Sequence, residues 1–143
     1  MKRSIFLVLA VAIACASCSV MCNRTPNLNN TRWSSKFEEF VADVGTETIT
    51  LTLEFISAKE FRLETESVMP PHPATYMNAD GSVDVLPGRT AKYSSQGTYS
   101  FRKGVVTLTY EDGRTATLRY DSDRLVSDNF YYRPLIFLRD DNR

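Results

Sequence analysis

From residue 31 onward the chain is patterned with a period of two. Ile49, Leu51, Leu53 and Phe55 alternate with Thr48, Thr50, Thr52 and Glu54, which in an extended backbone gathers the apolar side chains on one face. All 14 threonines lie after residue 24, as do all seven tyrosines, and both residue types favour strands. Between Gly97 and Tyr120 the pattern predicts hairpin registers as well as strands, because a slip of one residue would turn every side chain to the opposite face. A two-residue loop at Lys103-Gly104 pairs Phe101 with Val106, Tyr99 with Leu108 and Gly97 with Tyr110. At the next turn, a two-residue Asp112-Gly113 loop would set Leu108 against Thr117 and split the apolar set between faces. A three-residue loop Glu111-Asp112-Gly113, with Gly113 left-handed in a bulge, pairs Leu108 with Ala116 and Val106 with Leu118 instead. The expected core face is Tyr99, Phe101, Val106, Leu108, Tyr110, Ala116, Leu118 and Tyr120. The opposite face is a ladder of threonine and serine hydroxyls.

The remaining segments are patterned less clearly. Glu60–Ser67 reads as a strand with Phe61 and Leu63 inward, and Tyr131–Leu138 as a final strand beginning after Asp128-Asn129. Pro134 there implies an edge or a bulge. Val68–Gln96 holds four of the six prolines and reads as a loop-rich side, with a small hairpin of Thr75–Asn78 against Ser82–Leu86 around Asp80-Gly81. Trp33–Val44 carries two signals. Trp33, Phe37, Phe40, Val41 and Val44 have helical spacing, with Ser35 and Glu38 as a capping box and Gly45 as a stop. An eleven-residue helix is marginal on its own, however, and a short turn leads directly into a strong strand, as in a hairpin. A strand is the reading adopted.

The first 30 residues are different in kind. Lys2 and Arg3 precede the apolar run Ile5–Ala16, the arrangement of a secretory signal peptide over residues 1–17. As a helix this run would span about 18 Å, short of the roughly 30 Å of a bilayer core. All three cysteines, Cys15, Cys18 and Cys22, lie within eight residues at its end and none lies in the following 121, so a disulfide framework inside the fold is excluded. Cys15-Ala16-Ser17-Cys18-Ser19 resembles the lipobox of bacterial lipoproteins. That resemblance implies cleavage before Cys18 and lipidation of its thiol, with Cys15 as the fallback site, and its Ser-Cys-Ser form looks like lipoproteins of Bacteroides relatives. Residues 18–30 then form a polar, flexible tether, and residues 31–143 the folded domain. The first acidic residue is Glu38; surface-exported lipoproteins of that group usually carry acidic residues just after the lipidated cysteine. The resemblance therefore implies an outer-membrane anchor facing the periplasm.

The order of leader, lipobox cysteine, tether, Asn30-Thr31-Arg32-Trp33, threonine-rich strand and the Gly97–Gly113 hairpin resembles the lipocalin-like (calycin-type) small lipoproteins of Bacteroides relatives. The resemblance implies an up-and-down antiparallel barrel of about eight strands, closed at one end by an early Trp stacked against an Arg late in the last strand. Trp33 and Arg139 occupy those places, and Thr31 stands where lipocalins have a glycine. Such a barrel either is filled by side chains or holds one small ligand. In the second case Tyr99, Phe101, Leu108 and Tyr110 are the candidate lining. A transmembrane barrel shows the same alternation with its faces exchanged, but six residues from Val105 to Tyr110 fall short of the about 9 to 11 needed to cross an outer membrane.

Composition adds exclusions. Lys plus Arg and Asp plus Glu are 17 each among 143 residues, without the basic excess of a nucleic-acid binder. Loss of residues 1–17 removes Lys2 and Arg3 and leaves 15 against 17, a net charge of −2. His72 is the only histidine and sits in Pro70-Pro71-His72-Pro73 away from metal-ligand spacing, so a Ser-His-Asp or Cys-His set has nothing to build on. Asp121-Ser122-Asp123 with Asp128 lacks the glycine and terminal glutamate of a calcium loop and reads as a solvated turn. The expectation is a non-enzymatic envelope protein without metal or cofactor, binding a small apolar or amphipathic ligand. The alternative is a filled barrel that binds or inhibits another protein through loops such as Met69–Tyr76.

Overall fold

The computed structural model describes residues 26–140; the expected signal peptide, Cys15, Cys18 and the first part of the expected tether lie outside them. The described chain is all β. Its ten strands are β1 Thr31–Val41, β2 Gly45–Phe55, β3 Glu60–Met69, β4 His72–Pro73, β5 Val85–Leu86, β6 Arg89–Arg102, β7 Val105–Tyr110, β8 Thr115–Asp121, β9 Arg124–Phe130 and β10 Arg133–Arg139. Eight of them close into an antiparallel barrel in the order β1-β10-β9-β8-β7-β6-β3-β2, while β4 and β5 form a separate two-stranded arm between β3 and β6. Each barrel strand therefore lies beside its neighbour in sequence, an up-and-down meander with one excursion.

Both predicted registers of the central hairpins are present. Phe101 pairs with Val106 and Tyr99 with Leu108, then Leu108 with Ala116 and Val106 with Leu118. Lys103 and Gly104 have φ of 50° and 78°, the twist that a two-residue hairpin loop requires. Gly113, at φ 84°, donates its N–H to the Tyr110 carbonyl at 2.9 Å and makes the bulged three-residue loop. Pro134 marks a bulge too: Arg133 pairs with Phe130 but Leu135 with Ser127, so two residues of β9 oppose the one residue that lacks an N–H.

Trp33–Val44 is a strand and turn. Residues 31–41 pair one to one with 45–55, and Phe40, which the helical pattern would bury, is 77% exposed. Three expectations are corrected. Arg89–Gln96 is the upper half of β6, paired with β3, and is no loop. Asp128 and Asn129 belong to β9, and Tyr131-Tyr132 form the tight turn before β10, which starts at Arg133. The small hairpin exists with a different pairing, His72 with Leu86 and Pro73 with Val85, tied further out by Asn78 N–H to the Ser82 carbonyl at 2.8 Å.

The core fills the end of the barrel at which β1 begins. Trp33, Leu51, Leu53, Phe55, Phe61, Val106, Leu108, Leu118, Leu125 and Phe137 have no exposed surface, and Phe55–Tyr99 and Phe61–Tyr110 meet edge to face at 4.6 and 5.2 Å. Leu28 is buried with them, and the Asn30 N–H donates to the Phe55 carbonyl at 2.8 Å, so packing begins inside the segment read as tether. Strand length does not by itself argue against a transmembrane barrel, since β1 and β2 have 11 residues and β6 has 14. The faces do: apolar side chains point inward, and the outer face of β2, β3 and β6 carries Thr50, Thr52, Glu64, Glu66 and Lys92, unlike the apolar band that lipid requires.

One backbone position limits how closely β6 and β7 approach. A Cβ on Gly97 would lie 2.0 Å from the Thr109 carbonyl oxygen, so any side chain there forces the two strands apart. Gly97→Ala is expected to cost about 1–3 kcal/mol of stability, read from the urea midpoint. An unchanged midpoint would show that the two strands separate without cost.

Candidate functional site

Trp33 closes the packed end. Its indole N–H donates to Thr31 Oγ1 at 2.8 Å, and the Thr31 hydroxyl donates in turn to the Leu28 carbonyl. Tyr120 meets the indole edge-on at 6.2 Å, and the Arg139 guanidinium carbon stands 6.0 Å from the ring centroid. Trp33 and Arg139 are also direct cross-strand partners. Thr31 is thus the acceptor that satisfies a fully buried indole.

At the opposite end, the inward positions continue the same alternation with other residue types. Above Ile49 on β2 comes Glu47; above Leu63 on β3 come Thr65 and Ser67; above Gly97 on β6 come Ser95, Tyr93, Ala91 and Arg89; above Ser35 and Phe37 on β1 comes Glu39. These side chains form a cup of about 360 Å³ lined by Glu39, Glu47, Ile49, Thr65, Ser67, Arg89, Ala91, Tyr93 and Tyr131. The Ser67 hydroxyl donates to Glu47. Glu39 pairs with Arg133 at 3.6 Å, whose guanidinium also lies 4.4 Å over the Phe37 ring. The cup therefore combines an aliphatic floor, two tyrosines and charged groups of both signs.

A second cleft, about 610 Å³, opens beside it and shares Thr65, Tyr93 and Tyr131; Tyr110, Phe130, Tyr132 and Arg114 contribute to its far wall. Burial pushes the Tyr110 phenol above its ordinary value, against the pull of the neighbouring Arg114. Asp112 is held below the usual carboxylate range by the Arg114 backbone N–H and guanidinium. Tyr131 and Tyr132 both have positive φ, 57° and 62°, an unfavourable conformation for bulky residues, and Tyr132 is 98% exposed.

The candidate lining residues are dispersed relative to these cavities. Tyr110 lines the larger cleft. Leu108 is fully buried, Tyr99 packs on Phe55 and donates its hydroxyl to the Ser57 carbonyl at 3.0 Å, and Phe101 packs on Tyr120 at 6.1 Å. These three belong to the filled end. The cup residues went unnoticed because they are mostly polar; the signal that could have found them is the unbroken period of two running past the last apolar residue of each strand.

His72 Nδ1 lies 3.1 Å from the Pro70 carbonyl. Among the described residues no group of three or more His, Cys, Asp or Glu is placed to hold a metal ion. In class, then, the protein is a closed eight-stranded antiparallel barrel, filled at one end and cupped at the other. Compared with protein-family models, curated proteins and solved structures, the chain matches none.

The Thr31 bond yields a sharp test. Thr31→Val keeps the shape but strands a buried N–H, and should lower stability by about 1–3 kcal/mol, measured by chemical denaturation. Thr31→Ser should retain most of it; equal losses in both variants would show that the hydroxyl is immaterial.

Proposed function

We propose that this protein is a lipocalin-like envelope lipoprotein, anchored through Cys18 to the outer membrane on the periplasmic side, that holds a small amphipathic ligand without transforming it. The observation that carries the reading is the cup itself: a barrel filled at one end keeps a tyrosine-lined cavity at the other. Cavities of roughly 300–1,000 Å³ are the size that encloses small ligands. The mix of Ile49, Tyr93 and Tyr131 with Glu47, Ser67 and Arg89 suits a ligand with an apolar body and a polar end better than a purely apolar one.

The environment-sensitive probe N-phenylnaphthylamine should brighten and saturate on the soluble chain beginning at Ser19. Ala91→Trp, which fills the cup, should weaken that binding at least tenfold, while Phe101→Leu in the packed end should leave it within twofold. Equal binding by all three would remove the cup as the site. For the anchor, labelled palmitate should enter the wild-type chain in cells and not Cys18→Ala. Incorporation that survives this change and is lost in Cys15→Ala would move the site to Cys15; survival in both would defeat the lipoprotein assignment.

A second reading has its own support. The β4–β5 arm exposes Tyr76, Met77, Val83 and Val85, apolar side chains that suit contact with another protein. Deleting residues 74–84 would abolish a protein interaction made there and leave the fluorescence of the probe in the cup unchanged.

A further inference from the structure

The rim of the cup carries charge of both signs, and the two signs are not matched to each other. In the outermost inward row Glu39 faces Glu47 across β1 and β2, and Arg89 faces Met69 across β6 and β3. The row beneath holds Ile49, Ser67 and Ala91, and Thr65 and Tyr93 lie one row further down. Four charged groups meet at the rim. Glu39 is answered by Arg133 at 3.6 Å. Glu47 accepts from the Ser67 hydroxyl and pairs with no cation among the described residues, while the Arg89 guanidinium makes neither an ion pair nor a hydrogen bond with any of them. What remains is one carboxylate and one guanidinium, both lining the cup, with β3 running between their strands. Neighbouring strands lie about 4.8 Å apart, which sets the backbones of Glu47 and Arg89 roughly 10 Å apart.

That arrangement discriminates against a single charge of either sign. An amphiphile with only an anionic head is drawn to Arg89 and repelled by Glu47, and one with only a cationic head meets the reverse. A ligand carrying a carboxylate and an ammonium a few ångströms apart answers both groups at once. The carboxylate suits the planar fork of a guanidinium, and the ammonium suits Glu47 and the tyrosine faces beside it. Beneath the rim, Ile49, Ala91, Tyr93 and Tyr131 offer surface to an apolar group. Charges outermost and apolar surface below is the order met by an amino acid that enters side chain first.

We propose that the cup binds a free α-amino acid with an apolar side chain. Its carboxylate sits on Arg89, its ammonium on Glu47, and its side chain against Ile49 and the two tyrosines. The inference rests on the reading of the cup as a small-ligand site and adds the chemistry of the ligand's head.

The test titrates L-phenylalanine, its amide and its N-acetyl derivative into the chain beginning at Ser19, by calorimetry and by displacement of N-phenylnaphthylamine. The amide lacks the carboxylate, and the N-acetyl derivative lacks the ammonium. Phenylalanine should saturate and displace the probe, and each blocked derivative should bind about fivefold more weakly, the scale of partly exposed ion pairs. The variants should cross with the derivatives. Arg89→Gln should weaken phenylalanine about fivefold and leave the amide no weaker, and Glu47→Gln should weaken phenylalanine by a similar factor and leave the N-acetyl derivative no weaker. Circular dichroism and probe binding should be retained in both. Equal binding of phenylalanine and its blocked derivatives overturns the proposal without any change to the protein. Uniform weakening of all three ligands in either variant overturns it too, as does phenylalanine binding that persists in Ala91→Trp. Phenylalanine that fails to displace a bound probe overturns this proposal alone and leaves the small-ligand reading standing, whereas a probe that never binds, with no heat from phenylalanine, defeats both.

Discussion

An eight-stranded sheet becomes a barrel only if its first and last strands meet, and here that meeting is narrow. β1 runs beside β2 for eleven paired residues, but beside β10 for only two, Trp33 with Arg139 and Ser34 with Leu138. Side chains reinforce the join at both ends. At the packed end Asp140 accepts from Ser34 at 2.6 Å and pairs with Arg32 at 3.4 Å, and Trp33 lies buried beneath Arg139. Nearer the mouth, Arg133 reaches across to Glu39 and the Phe37 ring. Exposed ion pairs contribute little individually. The burial of Trp33, with its N–H satisfied by Thr31, is therefore the contact on which closure chiefly rests.

Closure at that end leaves the opposite end free. With Trp33, Phe55, Phe61 and Phe137 filling the barrel, no further apolar bulk is needed above Ile49 and Leu63, and the inward positions there become Glu47, Thr65, Ser67, Ala91 and Ser95. A sheet face that turns polar while still pointing inward cannot be closed over without burying unsatisfied groups. The cup is thus a consequence of where the core stops.

The same transition explains which parts of the fold were legible in the residues. Registers across Gly97–Tyr120 could be worked out because every inward position is apolar or glycine, so a one-residue slip had a visible cost. Trp33–Val44 was ambiguous because Ser35 and Glu39 are inward and Phe40 outward, which erases the alternation and leaves a chance helical spacing. Arg89–Gln96 was missed because its inward residues, Arg89, Ala91, Tyr93 and Ser95, share no hydrophobic signature. Asp128 and Asn129 looked like turn formers because the real turn, Tyr131-Tyr132, uses residues that disfavour positive φ. Trp33, Arg139, Leu108 and Tyr110 were nameable from the sequence, and only Tyr110 of the candidate lining residues faces a cavity. Sequence patterning is a record of burial, and it fades wherever the interior meets water.

The two faults in the regular pattern, the short β7–β8 hairpin and the strained Tyr131-Tyr132 turn, both line the larger cleft. Each has a local remedy that costs the fold nothing evident: a few more residues on β7 would pair the β6 edge, and Asn-Gly in place of the two tyrosines would relax the turn. Either change would shrink the cleft or strip its aromatic wall. Strain alone does not demonstrate function. Strain that places Tyr131 and Tyr132 on a cleft also lined by the stretch of β6 beyond its pairing with β7, however, marks one surface twice, by two unrelated departures from the most stable solution. That coincidence sets the mouth of the barrel apart from its packed end.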